Sequence, residues 1–343
     1  MKKLLNVLYV TAPDTYLSLD GENVVVLKSG DEAMRLPLHN LEGIVAFGYT
    51  GASPALMGAC ARRHVSMCFM SQTGRFLARI VGPEEGNVLL RKEQYRRSDS
   101  AEDSALIARN MITGKLLNAR QVIERARRDH ALRLDTEALL YVADLLGKAA
   151  RSAQICTDLD TLRGIEGKGA AAYFGVFNHL ILRQEADFIF DSRERRPPTD
   201  PVNALLSFVY TLLTHEAAAA LQGVGLDPYV GFMHRDRPGR VSLALDLMEE
   251  LRPIMADRFV LSLINRAELT IKDFTTQENG AVLLSDTGRR TLLTAWQARK
   301  QTQITHPFTG EKMVWGLVPH MQALLLARHL RDDLDAYPAY LWR

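Results

Sequence analysis

Through residues 1–82 hydrophobic and polar positions alternate with the two-residue period of strands, and beyond them the period becomes helical. Tyr16-Leu17-Ser18-Leu19 and Val24-Val25-Val26-Leu27 flank Asp20-Gly21-Glu22-Asn23, a hairpin-type turn. Ser29-Gly30-Asp31 marks a second turn into a strand over 33–38, and 41–47, 65–70 and 76–81 complete the predicted strands. One helix interrupts them, with Ser53 as its N-cap, Pro54 at the first helical position and an end near Arg63. The first ten residues read as a strand. Lys2 and Lys3 precede apolar residues as in a signal peptide, but Asn6 interrupts the run and no small-residue cleavage site follows. The segment 82–86, Gly-Pro-Glu-Glu-Gly, reads as a linker. After it, helices are predicted over 101–129, 135–153, 170–190, 201–222, 242–251, 254–271 and 319–336. The 201–222 helix is the best punctuated: Asp200 caps it, Pro201 opens it and Gly223 closes it. The pattern predicts an α+β protein, with a β-rich N-terminal domain over 1–90 and a larger all-α domain over 91–343.

Composition sharpens this picture only in places. A length of 343 residues suits two domains, and 47% hydrophobic residues exclude disorder as the main state. The net charge of +2 argues against a polycationic tail, yet the basic residues are mostly Arg, 32 against 10 Lys. Arg presents a planar fork suited to phosphate. Residues 91–133 hold 11 basic against 6 acidic side chains. Arg235, Arg237 and Arg240 form a second cluster, and Arg289, Arg290, Arg299 and Lys300 a third. A charge run is ordinarily a solvated face; three in one domain raise the phosphate-binding reading. The three cysteines, Cys60, Cys68 and Cys156, have no CxxC spacing, which points away from a disulfide framework or structural zinc and toward the reducing cytoplasm. The uncharged stretch 201–215 is shorter than the ~20 apolar residues of a membrane span, so no membrane association is expected.

Several kinds of chemistry are absent. No Gly-Lys pair has the glycine spacing of a phosphate loop, and neither G-x-S-x-G nor H-E-x-x-H occurs. His215-Glu216 reads as the edge of an apolar helix. Three places remain. In 163–173 one carboxylate, Glu166, lies among glycines and alanines, which let a phosphate or a backbone approach closely; the alternative is an ordinary acid at a helix N-terminus. In 231–237 an apolar approach delivers His234 into a run of arginines; the alternative is a structural histidine at a loop mouth. In 242–253 helical geometry puts Asp246, Glu249 and Glu250 on one face; the alternative is a solvated acidic face. Carboxylates with one imidazole suit Mg²⁺ or Mn²⁺ better than zinc, and acids among arginines suit metal-assisted phosphodiester chemistry.

At these residues the chain resembles the CRISPR-associated protein 1 family, the endonuclease/integrase of spacer acquisition. The resemblance spans essentially the whole sequence. It includes Leu38-His39-Asn40-Leu41-Glu42-Gly43-Ile44, Glu166-Gly167, the run from Asp200 to Ser207, and Gly231 to His234. It continues through Leu245-Asp246-Leu247-Met248-Glu249 to Arg252-Pro253, and the N-terminal half looks like the version that accompanies type I-C systems. The resemblance implies a homodimer formed by β-rich dimerisation domains, each subunit with a helical catalytic and DNA-binding domain and one Mn²⁺ or Mg²⁺ site. Glu166, His234 and Glu249 match the metal ligands, and Glu249 stands where many members carry Asp, one methylene shorter. Asp246 matches a further acidic position and is expected to give catalytic support rather than direct ligation. Glu250 has no match and is left as solvated surface. The implied activity is insertion of spacer DNA into a CRISPR array by transesterification. The implied partners are double-stranded DNA (the spacer precursor and the leader-repeat) and a small CRISPR-associated adaptation protein, protein 2 of the module, in a heterohexamer. The rival readings are a structure-selective nuclease acting on branched DNA and a non-catalytic DNA-binding scaffold.

Overall fold

The computed structural model describes residues 6–48, 50–72, 74–82, 88–183, 188–194 and 197–342. The chain forms two compact units: 1–85 with 286–302 and 314–316, and the remaining residues from 86 to 343. The sequence-based division was contiguous at 90/91, whereas these units interleave. The linker predicted over 82–86 lies outside the described residues except for Gly82.

In the first unit, β1 (Asn6–Val10), β5 (Leu41–Phe47) and β7 (Ser66–Met70) run parallel, with β8 (Phe76–Ile80) antiparallel at the edge. A second sheet holds β2 (Thr15–Asp20), β3 (Asn23–Lys28), β4 (Asp31–Pro37) and the short β6 (Gly51–Ala52), in the order β4-β3-β2-β6. Asp20 pairs with Asn23 at the predicted hairpin, and Gly21 takes the positive φ of +56° that this turn requires. Helix α1 (Pro54–Arg62) starts as predicted, with Ser53 accepting from the Leu56 amide. Leu17, Val24, Ile44, Leu56, Cys60 and Met67 are fully buried in one shared core. Burial pushes the Cys60 thiol up to about 11 and Cys68 up to about 12, so both behave as small core hydrophobes.

The second unit is helical: α2 (Val88–Asp99), α3 (Ala101–Asp129), α4 (Thr136–Gln154), α5 (Leu159–Gly175), α6 (Pro201–Gly223), α7 (Ser242–Glu249) and α8 (Arg258–Asn265). Each long helix from α3 to α6 has an oxygen N-cap: Ser100, Asp135, Asp158 and Asp200 accept from the amides of Asp103, Ala138, Thr161 and Asn203. Helix α6 has the length and apolarity of a membrane span, but 61% of its most apolar window is buried inside the fold, as in a core helix.

Two predicted helices are displaced. The one placed over 170–190 is α5, which begins at Leu159 and ends at Gly175. Glu166 therefore lies mid-helix and not at an N-terminus. Glycine propensity argued against a helix here, but packing requires Gly169: a Cβ would stand 2.3 Å from Leu116 Cδ2 on α3. The helix predicted over 254–271 is a π-helical turn, Arg252–Asp257, followed by α8, which stops at Asn265. Pro253 has no amide to give a regular helix, and the widened turn absorbs the loss. Helices α2 and α9 (Asp286–Lys300) were not predicted. The third arginine cluster lies on α9 and so belongs to the first unit. There Arg289 is buried over the Phe47 ring, with an ion pair to Asp286. Only two of the clusters therefore share the helical unit. Helix α10 (Val318–Leu330) closes the helical unit and ends before the predicted 336.

Candidate functional site

Four elements of the helical unit bring the singled-out residues to one place. Helix α3 contributes Lys115, α5 Glu166, the loop before α7 His234, and α7 Asp246 and Glu249. Lys115 Nζ pairs with Glu166 Oε1 and lies 2.7 Å from Glu249 Oε2. Arg252, at the start of the π-helical turn, places its guanidinium 2.7 Å from Glu249 Oε1. His234 Nε2 faces the same oxygen at 3.9 Å, too far for a hydrogen bond.

The histidine is held from behind. Asp246 is 1% exposed and accepts from three successive amides: Phe232 at 2.6 Å, Met233 at 3.0 Å and His234 at 3.0 Å. Its Oδ1 also lies 2.5 Å from His234 Nδ1. A carboxylate so placed fixes Nδ1 as the donor, and in the neutral ring Nε2 then keeps the lone pair. This close seating depends on Gly231, where a Cβ would come within 2.7 Å of Asp246 Oδ2. Two further side chains pin the loop. Arg163, on α5, donates from Nε (3.0 Å) and Nη2 (2.6 Å) to the Met233 carbonyl. Gln94, on α2 and fully buried, donates to the Asp227 and Val230 carbonyls and accepts from the Asp227 amide.

Electrostatics divide the acids. Burial pushes the Glu249 carboxyl up, but Arg252, Lys115 and His234 outweigh it and hold it at about 2. Glu250 is also buried and turned away from this centre. Its Oε1 accepts from Gln322 and from the Tyr337 hydroxyl at 2.7 Å each, and burial raises it to about 8. This corrects the expectation of a solvated Glu250. Asp257, at the end of the π-helical turn, is raised by burial to about 6 against a 2.6 Å bond from the Tyr210 hydroxyl. The Tyr210 ring in turn carries Arg252 and Arg193, each 5.3 Å from its centroid.

Among the described residues, no three His, Cys, Asp or Glu side chains form a ready metal centre. The reason is local: Lys115 stands between Glu166 and Glu249. The donor set nevertheless fits a divalent cation. Two carboxylates already converge on one positive charge, and Glu249 Oε2 is buried without a well-aligned hydrogen bond. The adjacent imidazole is braced by a carboxylate as metal-bound histidines are. Sequence reasoning singled out Glu166, His234, Asp246 and Glu249. It missed Lys115, Arg163 and Gln94 as members of the site. Arg252 entered only within a motif, although its spacing of three from Glu249 on a helical run was a usable signal.

The fold, a β-rich unit and a helical unit, is shared with solved structures. Two solved structures show the same fold at 22% identity. A casposase bound to integration product has a TM-score of 0.84, covering 99% of this chain and 95% of that one. A Cas6-RT-Cas1–Cas2 complex has a TM-score of 0.82, covering 100% of this chain and 36% of that one. The sequence profile described as CRISPR associated protein Cas1 matches residues 8–298. The CRISPR-associated endonuclease Cas1 1 of Chlorobaculum tepidum is 51% identical over 343 residues, the whole of both chains. The chain belongs to the Cas1 family.

Proposed function

We propose that this protein is a divalent-metal-dependent DNA endonuclease and integrase that inserts spacer DNA into a CRISPR array. The observation that carries the reading is the convergence of Glu166 and Glu249 on one cation, beside an imidazole braced by Asp246. Glu166, Glu249 and His234 would hold Mn²⁺ or Mg²⁺, with Lys115 swung aside on its flexible stem. When bound, the metal would lower the pKa of the attacking oxygen and offset charge at the scissile phosphorus.

The chain's own side chains supply the geometry. Asp246 holds the His234 ring, Arg163 and Gln94 hold the loop that carries it, and Arg252 keeps Glu249 ionised. In transesterification, the 3′-hydroxyl of the incoming fragment attacks a phosphodiester at the repeat boundary. One P–O bond forms as another breaks, and the displaced strand leaves with its own 3′-hydroxyl. Water in place of that hydroxyl gives a nick. The subunits pair through their β-rich units, and a small Cas2-type partner bridges two dimers into a heterohexamer. The likeness to a Cas1–Cas2 complex supports this partner. A non-catalytic scaffold requires the acidic helix to be solvated, but Asp246, Glu249 and Glu250 are 1%, 2% and 0% exposed.

The test is strand transfer of labelled fragment into a repeat plasmid with Mn²⁺ and the partner. Glu166→Ala and His234→Ala are expected to lose joining while retaining DNA binding. Normal joining by both variants overturns the site. Cleavage of branched DNA without joining favours the structure-selective nuclease.

A further inference from the structure

The helical unit holds a segment that the proposed mechanism does not use: residues 337–342, which pack where α3 meets the end of α7. Asn118, on α3, donates from Nδ2 to the Glu250 and Tyr340 carbonyls at 2.7 Å each. Its Oδ1 accepts from the Trp342 amide at 2.8 Å. Gln322, on α10, donates from Nε2 to Glu250 Oε1 at 2.7 Å and to the Pro338 carbonyl at 3.1 Å. The Tyr337 hydroxyl donates to the same Glu250 oxygen at 2.7 Å. The Gln322 amide could face either way, and His306 fixes it. Burial holds the His306 imidazole below its ordinary value, so the ring is neutral. Its Nδ1 accepts from the Phe308 and Thr309 amides, which leaves Nε2 to donate to Gln322 Oε1 at 3.0 Å. Gln322 Nε2 therefore faces Glu250. Asn118, Glu250, His306, Gln322 and Tyr337 are all buried, so a bond left unmade would strand a polar group away from water.

Packing points the same way. A Cβ on Gly114, the neighbour of Lys115, would stand 2.8 Å from Ala339 Cβ and 3.1 Å from Glu250 Cβ. Segment 337–342, α3 and α7 thus meet beside Lys115 and Glu249. At that place the backbone needs outside support. Helix α7 has 8 residues and no side-chain N-cap. Pro253 has no amide to give the Glu249 carbonyl one helical turn earlier, and Asn118 takes the Glu250 carbonyl next to it.

We propose that Asn118, Gln322 and Tyr337 are positioning residues: through Glu250 they clamp the end of α7 between α3 and segment 337–342, and so set Glu249 opposite Lys115 and Glu166. They act through Glu250 and not by contact with the reacting atoms. The clamp itself is a property of the apo fold. Its functional consequence rests on the reading that Glu249 holds a divalent cation.

Hydrogen exchange in chelator and Mn²⁺ titration by electron paramagnetic resonance, both on the full chain, test the clamp. Gln322→Leu and Tyr337→Phe are each expected to speed exchange at amides 248–252 about tenfold and to weaken Mn²⁺ binding about tenfold. In strand transfer their kcat falls while KM for DNA stays unchanged, because no DNA contact is removed. Glu250→Gln keeps an acceptor for both donors and is expected to match the parent in exchange and Mn²⁺ affinity, whereas Glu250→Leu shows both effects. Val142→Ala, on the buried face of α4, makes none of these bonds; it lowers stability and leaves both readouts unchanged. Parent-like exchange and Mn²⁺ affinity in Gln322→Leu and Tyr337→Phe overturn the proposal, as does an equal effect of Val142→Ala. So does Glu250→Gln behaving as Glu250→Leu does. If Glu249→Ala binds Mn²⁺ as the parent does, the metal reading has failed, and exchange at 248–252 alone decides the clamp: faster exchange upholds it and unchanged exchange refutes it.

Discussion

Replacing Glu250 with glutamine removes a proton-linked penalty from the folded state while keeping the shape of the side chain. In the folded protein the carboxyl is raised from its ordinary 4.5 to about 8 by burial, despite bonds from Tyr337 and Gln322. The folded form therefore holds this proton at pH values where the unfolded chain has lost it. The resulting stabilisation is complete below pH 4.5 and is lost as pH rises through about 8. A proton affinity raised from 4.5 to about 8 corresponds to about 5 kcal/mol between the two limits. Glutamine can accept the same two bonds, stays neutral and has no such linkage. Urea denaturation in chelator at pH 5, 7 and 8.5 measures the difference. Between pH 5 and pH 8.5 the parent protein is expected to lose about 4 kcal/mol that Glu250→Gln keeps. The other titrating groups are common to both proteins and cancel in the comparison. Parallel stability curves for the two proteins would refute the reasoning, because Glu250 would then be as ionised in the folded chain as in the unfolded one.

Lys115→Met takes away the ammonium between Glu166 and Glu249. Unit charges ~4 Å apart interact by about 4 kcal/mol at intermediate polarity, so Mn²⁺ is expected to bind at least about tenfold more tightly. Electron paramagnetic resonance titration reads the affinity, and an unchanged value would mean that Lys115 does not compete for the cation position. Asp246→Asn weakens the acceptor for three amides and His234 Nδ1. A fall in metal affinity of about 10- to 100-fold is expected by the same titration, and parent-like affinity would remove the bracing role. Two glycine substitutions separate crowding from helix propensity. Gly231→Ala forces a Cβ to 2.7 Å from Asp246 and is expected to cost about 1–3 kcal/mol in denaturant unfolding. Gly167→Ala meets nothing within 4 Å on α5 and is expected to be neutral or stabilising by up to ~1 kcal/mol.

What was legible in the sequence follows the range of the forces involved. Strands, the Ser53 and Asp200 caps and the Asp20–Asn23 turn are local, so period and turn chemistry predicted them close to their observed bounds. Helix α5 was shifted because its glycines are bad for an isolated helix, and only its packing against Leu116 of α3 explains Gly169. Helix α9 was missed because it carries charged residues at both ends, and its buried face, Leu292, Leu293 and Trp296, is short. The site divides in the same way. Asp246 and Glu249 share one helix and His234 lies shortly before it, so spacing and resemblance were enough to select them.

The cationic half of the site was not legible, and the reason is physical. Lys115 is one of eleven basic residues in 91–133, and a solvated basic face predicts the same sequence. It differs from the others only because α3 passes between Glu166, 51 positions later, and Glu249. Nor could helical spacing alone divide the acidic face on α7; only the resemblance separated Asp246 and Glu249 from Glu250. Helical geometry put Asp246, Glu249 and Glu250 together, whereas the fold gives each a different electrostatic fate. Asp246 meets three amides, Glu249 meets Arg252, Lys115 and His234, which hold it at about 2, and Glu250 meets neutral donors while burial raises it to about 8. A carboxylate's role here is set by what faces it across the helix packing, so adjacent acids of one chemical type serve as brace, cation partner and buried neutral acid.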